Sequence, residues 1–180
     1  NKINIGTNSK TLLRKFTRTS TLISLVLFFL IIFCALFASI LAPTNPYDLK
    51  VVSILDSRLS PGDKMLNGTI AWLGTDGAGR DVLSAIIFGL RTSLVVAISS
   101  AIIALIVGLF VGLIAGFYGG KIDAFLMRVV DIQLSFPAIL VALVLLALLG
   151  KGIDKVIIAL AIVQWAIYAR TVRALSLIHI

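Results

Sequence analysis

Residues 92–120 read TSLVVAISSAIIALIVGLFVGLIAGFYGG, twenty-nine consecutive positions without a charged side chain. An α-helix rises about 1.5 Å per residue and bilayer hydrocarbon is about 30 Å thick, so about 20 such residues suffice to cross it. The stretch reads as a membrane span with length to spare. Small residues recur at every fourth position: Ser100, Ala104, Gly108, Gly112, Gly116 and Gly120. In water each glycine inside a helix costs about 1 kcal/mol relative to alanine. In lipid the same stripe offers a flat face for close approach of another helix. Two readings stay open, general packing in a bundle or a seam on which helices slide or rock in a transporter.

Composition agrees with a membrane setting. Of 180 residues 59% are hydrophobic and 13% charged, with mean hydropathy +1.11; soluble domains are nearer half apolar and a quarter charged. The net charge is +8, and every acidic residue is Asp. Because the basic residues flank apolar runs, the membrane surface is the expected partner and nucleic acid is not. One cysteine, Cys34, excludes a disulfide within the chain and a cysteine metal cluster.

Outward from residue 92 toward the N-terminus, residues 43–91 form the one long polar section. Its charges balance, with Lys50, Arg58, Lys64, Arg80 and Arg91 against Asp48, Asp56, Asp63, Asp76 and Asp81. Pro43, Pro46, Pro61–Gly62 and Asn67–Gly68 mark turns. Residues 81–90 are too short to span and are expected as an interfacial elbow, loosened from the next span at Gly89. Before this section, Leu22–Ala42 is charge-free over 21 residues, which is long for a signal peptide and reads as a retained first span. Residues 1–21 carry Lys2, Lys10, Arg14, Lys15 and Arg18 without an acid, which places the N-terminus in the cytoplasm and residues 43–91 outside.

Toward the C-terminus the second span, about 92–117, is expected to run inward to a charged loop, Tyr118–Asp131. Gly119–Gly120 breaks the chain there, and Arg128 and Asp131 are spaced to pair along one face. A third span covers 132–150, kinked at Pro137, with Gln133 near its interface. A fourth, about 156–170, is short, but Lys155 and Arg170 can snorkel to extend it. Gln164, Trp165 and Tyr168 lie toward its inner end, and Arg170 and Arg173 follow on the cytoplasmic side. The reading is an all-α integral membrane protein with four spans, multi-pass, with both ends in the cytoplasm.

The densest turn cluster is Trp72-Leu-Gly74-Thr75-Asp76-Gly-Ala-Gly79-Arg80-Asp81. No strand precedes it and no Gly-Lys-Ser/Thr follows, so a phosphate-binding loop is rejected. The remaining reading is a turn in which Asp76 or Gly79 caps the following helix. No ionisable side chain falls within the interior of a span, which argues against a proton-coupled carrier. It also leaves no intramembrane Ser–His pair or Asp pair for catalysis.

A series of short pieces carries a resemblance. Leu-Gly74-Thr75-Asp76, Gly79-Arg80-Asp81-Val-Leu-Ser and Gly-Leu-Arg91-Thr-Ser-Leu are followed by Gly116-Phe-Tyr-Gly119-Gly120-Lys-Ile-Asp123. Met127-Arg128-Val-Val-Asp131, Phe136–Pro137, Trp165, Tyr168-Ala-Arg170 and Val172–Arg173 complete it. In this order and spacing, over roughly Leu22–Leu175, the chain resembles the permease subunits of peptide/nickel-type ABC importers. The resemblance implies a type I ABC transmembrane domain, here about four of six spans, with residues 92–180 as its partial core. It further implies import of short peptides or a related small solute, in a cytoplasmic membrane. The implied partners are a second permease subunit, an extracytoplasmic solute-binding protein and cytoplasmic ATPase subunits that carry ATP and Mg; the chain itself needs no cofactor and is no enzyme. Gly108, Gly112, Gly116 and Pro137 are the expected pathway positions. The family's ATPase-docking loop carries a Glu-Ala-Ala signature, which a chain without Glu cannot contain. Truncation soon after Arg173 is therefore expected, with His179 in a tail that plays no role. A secondary carrier or channel subunit would instead show an inverted repeat and mid-membrane charges. A membrane fragment unable to dock its ATPase is the other alternative.

Overall fold

A computed structural model describes residues 19–48 and 50–179. The basic cluster expected at the N-terminus, from Lys2 to Arg18, lies outside the described residues, as does the side chain of His179. Regular structure among the described residues is helical, apart from two isolated antiparallel bridges. The chain divides into two compact units, residues up to Thr92 and from Ser93 onward.

The first unit opens with α1, Thr19–Leu36, and a single turn α2, Ala38–Leu41. The expected span Leu22–Ala42 is thus interrupted at Phe37, although the Phe37 amide still donates to Phe33 O and Leu41 N to Phe37 O. Ala42 turns extended (φ −76°, ψ 128°), as a residue before proline must, and Pro43 ends the helix.

Within residues 50–81 lie two small hairpins, bridged at Lys64–Ile70 and at Thr75–Asp81. Asn67–Gly68 turns the first, with Gly68 at φ +82°. Three interior residues hold the hairpins together. Asp56 is buried and accepts the Leu66 amide at 2.9 Å; Thr75 Oγ1 donates to Asp56 O and accepts from Leu59 N at 2.8 Å. Ala71 is fully enclosed.

Next comes α3, Val82–Tyr118, 37 residues long. At about 1.5 Å per residue it is about 55 Å long. The elbow expected over 81–90 is therefore not a separate element, and Gly89 makes no break. A glycine in helical conformation weakens a helix but does not end it, and Thr92 Oγ1 back-bonds to Phe88 O across that turn.

In the second unit α3 ends at Gly119 and Gly120, with φ +60° and +52°; Gly119, at ψ −160°, lies in a region essentially open to glycine alone. The loop expected over Tyr118–Asp131 is instead most of a helix, α4, Gly120–Ser135. Its charges misled the reading, because Met127, Val130 and Leu134 recur at helical spacing and pack inward. Phe136 is extended (φ −90°, ψ 141°) ahead of Pro137, and α5 starts anew at Ala138–Leu149. The kink expected at Pro137 is consequently a full break of 88°. The third pass is a bent pair, not one helix over 132–150.

After Gly150 (φ +85°) the last helix, α6, runs Ile153–His179. It extends well beyond the expected 156–170 at its C-terminal end. By length and composition α3 and residues 153–176 of α6 each suffice to cross a membrane, and the α4–α5 pair makes a third crossing if counted as one; the apolar α1 is shorter.

Candidate functional site

The second unit is built around a seam between α3 and α6. A Cβ on Gly108 would lie 2.5 Å from Tyr168 Cβ and 2.8 Å from Trp165 O. One on Gly112 would lie 2.6 Å from Ala169 O, and one on Gly116 2.6 Å from Ser176 Oγ. All three are under 3.0 Å, so no side chain fits without moving a backbone or a neighbour. The contact partners climb together along both helices, 108 with 165–169 and 116 with 176, so α3 and α6 run parallel. On α6 the facing surface is made by Tyr168, Ala169, Val172 and Ser176, with Ala169 fully buried. Glycine on α3 lets the two backbones approach closely enough for dispersion to hold them in lipid. Toward the C-terminal end the seam opens into an apolar groove of about 730 Å³ walled by Leu109, Leu113, Phe117, Tyr118, Val172 and Leu175.

Onto α6 packs α4, antiparallel, through charge as well as apolar contact. Arg173 grips Asp123 with two hydrogen bonds, Nε to Oδ1 at 2.7 Å and Nη2 to Oδ2 at 2.5 Å. Arg170 Nη2 donates to Asp131 Oδ1 at 2.5 Å. Gln133 Nε2 reaches Ile162 O at 3.4 Å, so this side chain ties helices together and is not only an interfacial group. Asp131 thus pairs across helices, not with Arg128 on its own helix. Arg128 is exposed and has no ion pair among the described residues. Pro137 is exposed at the α4–α5 break and takes no part in the glycine seam. Gly108, Gly112 and Gly116 thus lie in the seam and Pro137 at the helix break, on two different elements.

In the first unit the Gly74–Asp81 cluster closes on itself. Gly79 sits so near Ser53 O that a Cβ would overlap it, and a Cβ on Gly74 would be 2.6 Å from Leu59 O. The glycines serve the chain's own carbonyls. Asp76 does not cap α3. Its Oδ1 accepts the amides of Ala78 and Arg80 at 2.9 and 3.0 Å, and its Oδ2 pairs with Arg80 Nε and Nη2 at 2.8 and 2.7 Å. Partial burial opposes ionisation of Asp76, but the Arg80 amide and guanidinium, with the Ala78 amide, outweigh it and hold the carboxyl below its ordinary value.

The cap of α3 is Asp81, nearly fully buried, whose Oδ2 accepts Ser84 N at 2.9 Å and Ser84 Oγ at 2.5 Å. Ser84 Oγ in turn accepts Thr44 N at 3.1 Å and Thr44 Oγ1 at 3.2 Å. Sequence reasoning missed this Thr44–Ser84–Asp81 relay. The Asp-x-x-Ser spacing at a helix start was its available signal, masked by the richer glycine cluster beside it. No group of three potential metal ligands occurs among the described residues.

Residues 108–180, which hold most of the seam together with α4, α5 and α6, match the family of binding-protein-dependent transport system inner membrane components. Similarity continues N-terminal to that region. The dipeptide transport system permease protein DppC of Escherichia coli (strain K12) is 43% identical over 159 residues, 88% of this chain and 52% of that protein. Residues 108–180 belong to this permease family. Two further similar permeases are named for other solutes. The nickel transport system permease protein NikC of the same strain is 35% identical over 130 residues, 72% of this chain and 45% of that protein. The glutathione transport system permease protein GsiD of Pectobacterium atrosepticum is 34% identical over 166 residues, 92% of this chain and 52% of that protein. The chain spans about half the length of the curated relatives it matches. A 159-residue alignment on this chain reaches across both units. Gly108, Gly112 and Gly116 thus meet α6 inside the matched region.

Proposed function

We propose that this chain is part of a permease subunit of an ATP-driven importer for short peptides or a related small solute, and forms part of one half of the pathway. The observation that carries the reading is the 43% identity to a dipeptide permease over 88% of this chain. Transport work in this reading is conformational. ATP and Mg bind to separate cytoplasmic ATPase subunits, a second permease chain completes the pathway, and an extracytoplasmic binding protein delivers the solute.

Topology follows from helix direction and charge. Parallel α3 and α6 require one return crossing between them, which the broken α4–α5 pair supplies. The basic residues ahead of α1 put the N-terminus in the cytoplasm, so the hairpins face outward. The paired Asp123–Arg173 and Asp131–Arg170 then face inward, where exposed Arg128 is available to a partner ATPase. The Gly108–Gly112–Gly116 seam is the plane on which α3 shifts against α6, because flat small-residue contacts slide with little steric interlock.

Two measurements test this. The full-length gene product should co-purify with ATPase subunits, and recovery of an active carrier without any ATPase would overturn the importer reading. Single cysteines at Asp76 and Arg91 should react with impermeant maleimide from outside intact cells. Labelling from the inside only would reverse the topology.

A further inference from the structure

We propose that a cleft in the first unit, between the end of α1–α2 and the start of α3, is a headgroup site for an anionic phospholipid, with Arg91 holding the phosphodiester. The cleft measures about 460 Å³ and is lined by Ser39, Thr44, Asn45, Phe88 and Arg91 among others. Hydrogen-bonding groups converge in it: the guanidinium, the Ser39 hydroxyl and the Asn45 carboxamide.

Arg91 differs from the other arginines that bond in this fold. Arg80, Arg170 and Arg173 each pair with an aspartate. Among the described residues Arg91 forms no ion pair, and its guanidinium hydrogen bond runs from Nη1 to the neutral Ser39 Oγ at 3.1 Å. A guanidinium presents five donors in a planar fork suited to a phosphate or carboxylate, and here most of that fork is uncommitted.

Its depth favours a lipid over a dissolved anion. The charge-free run Leu22–Ala42 ends in one wall of the cleft, and the charge-free run from Thr92 begins immediately after Arg91. Two apolar stretches that stop at the same cleft place it at the edge of the hydrocarbon, where the lipid headgroups begin. Beside it Leu36 and Ile40 are 70% and 79% exposed, an apolar surface suited to the acyl chain of a lipid held there. The Tyr47 and Phe88 rings meet edge-on at 6.0 Å, aromatics of the kind found at that depth.

The test counts lipid on the full chain, purified in mild detergent and supplied with equimolar phosphatidylglycerol and phosphatidylcholine, by native mass spectrometry. Wild type should retain one phosphatidylglycerol, and R91Q should retain about tenfold less, as expected for loss of a charge-assisted fork. R58Q, in the hairpin region, should behave as wild type. Should R91Q lose its helical circular dichroism, the milder pair R91K with S39A decides: at least about a threefold loss is expected. Unchanged retention in folded R91Q, or in that pair, overturns the proposal. Displacement of the lipid by 10 mM inorganic phosphate, on the order of a soluble-anion site's affinity, would assign the cleft to a dissolved oxyanion and overturn it as well. Because retention is read without transport, failure here leaves the importer reading untouched.

Discussion

Asp123 and Arg173 meet in a two-pronged ion pair that fastens the first turn of α4 to the last turns of α6, fifty residues away. Asp123 is only 17% exposed at its side chain and Arg173 33%. By contrast Asp131 and Arg170 are 58% and 53% exposed and share a single hydrogen bond. The two pairs clamp the same helices with unequal force.

D123N should lower stability by about 1.5–3 kcal/mol, the range for a hydrogen bond to a charged group. R170Q should cost about 0–1 kcal/mol, as solvated pairs do. Thermal unfolding in detergent, with both variants measured side by side, checks the ranking. Equal losses would mean that the fork geometry contributes nothing.

G112A should destabilise by about 1–3 kcal/mol, since the added carbon lies 2.6 Å from Ala169 O and the helices must part. G89A, on the same helix with nothing within 4 Å, should be neutral or stabilising by up to about 1 kcal/mol. Melting temperatures of the pair separate seam packing from helix propensity. If the importer reading holds, only G112A should also slow uptake in whole cells.

G79A should be the most damaging small substitution in the hairpins, at about 2 kcal/mol or more, because strain at φ +79° adds to overlap with Ser53 O. G68A shares the positive φ but meets open space, and should cost only about 1–2 kcal/mol. Protease sensitivity of the hairpin region distinguishes them.

Asp76 gives the hairpins an acid limit. Its folded-state value is depressed, so its stabilising effect is complete above the ordinary value of 3.8 and fades as pH falls through the lower folded-state value. Amide exchange at Ala78 and Arg80 should therefore accelerate below that point. D76N should exchange faster at neutral pH and lose the acid step. An unchanged acid step in D76N would move the titration to another carboxylate.

Residue type and periodicity made the seam legible, because a glycine every fourth position is costly unless something packs there. They did not identify α6 as the partner. Ala169 and Ser176 carry that information, but small residues are common in any helix and stood out only once the two backbones met. Charge made residues 118–131 look like a loop. A helix that is polar on one side and ion-paired on the other presents the same composition, and only the inward row Met127, Val130 and Leu134 tells them apart. The hairpin glycines were visible, whereas their cause, the carbonyls of Ser53 and Leu59, lies far off in sequence.

Hydropathy and the absence of charge fix on their own that apolar helices cross a bilayer, since burying a charge or an unpaired peptide group there is prohibitive. Local chemistry likewise fixes where helices stop, at Gly119–Gly120 and ahead of Pro137. Which helices touch, that α3 and α6 run in the same direction, and which arginine each aspartate takes depend on contacts between residues tens of positions apart. Those choices are settled by packing and paired charge across space, and no local propensity encodes them.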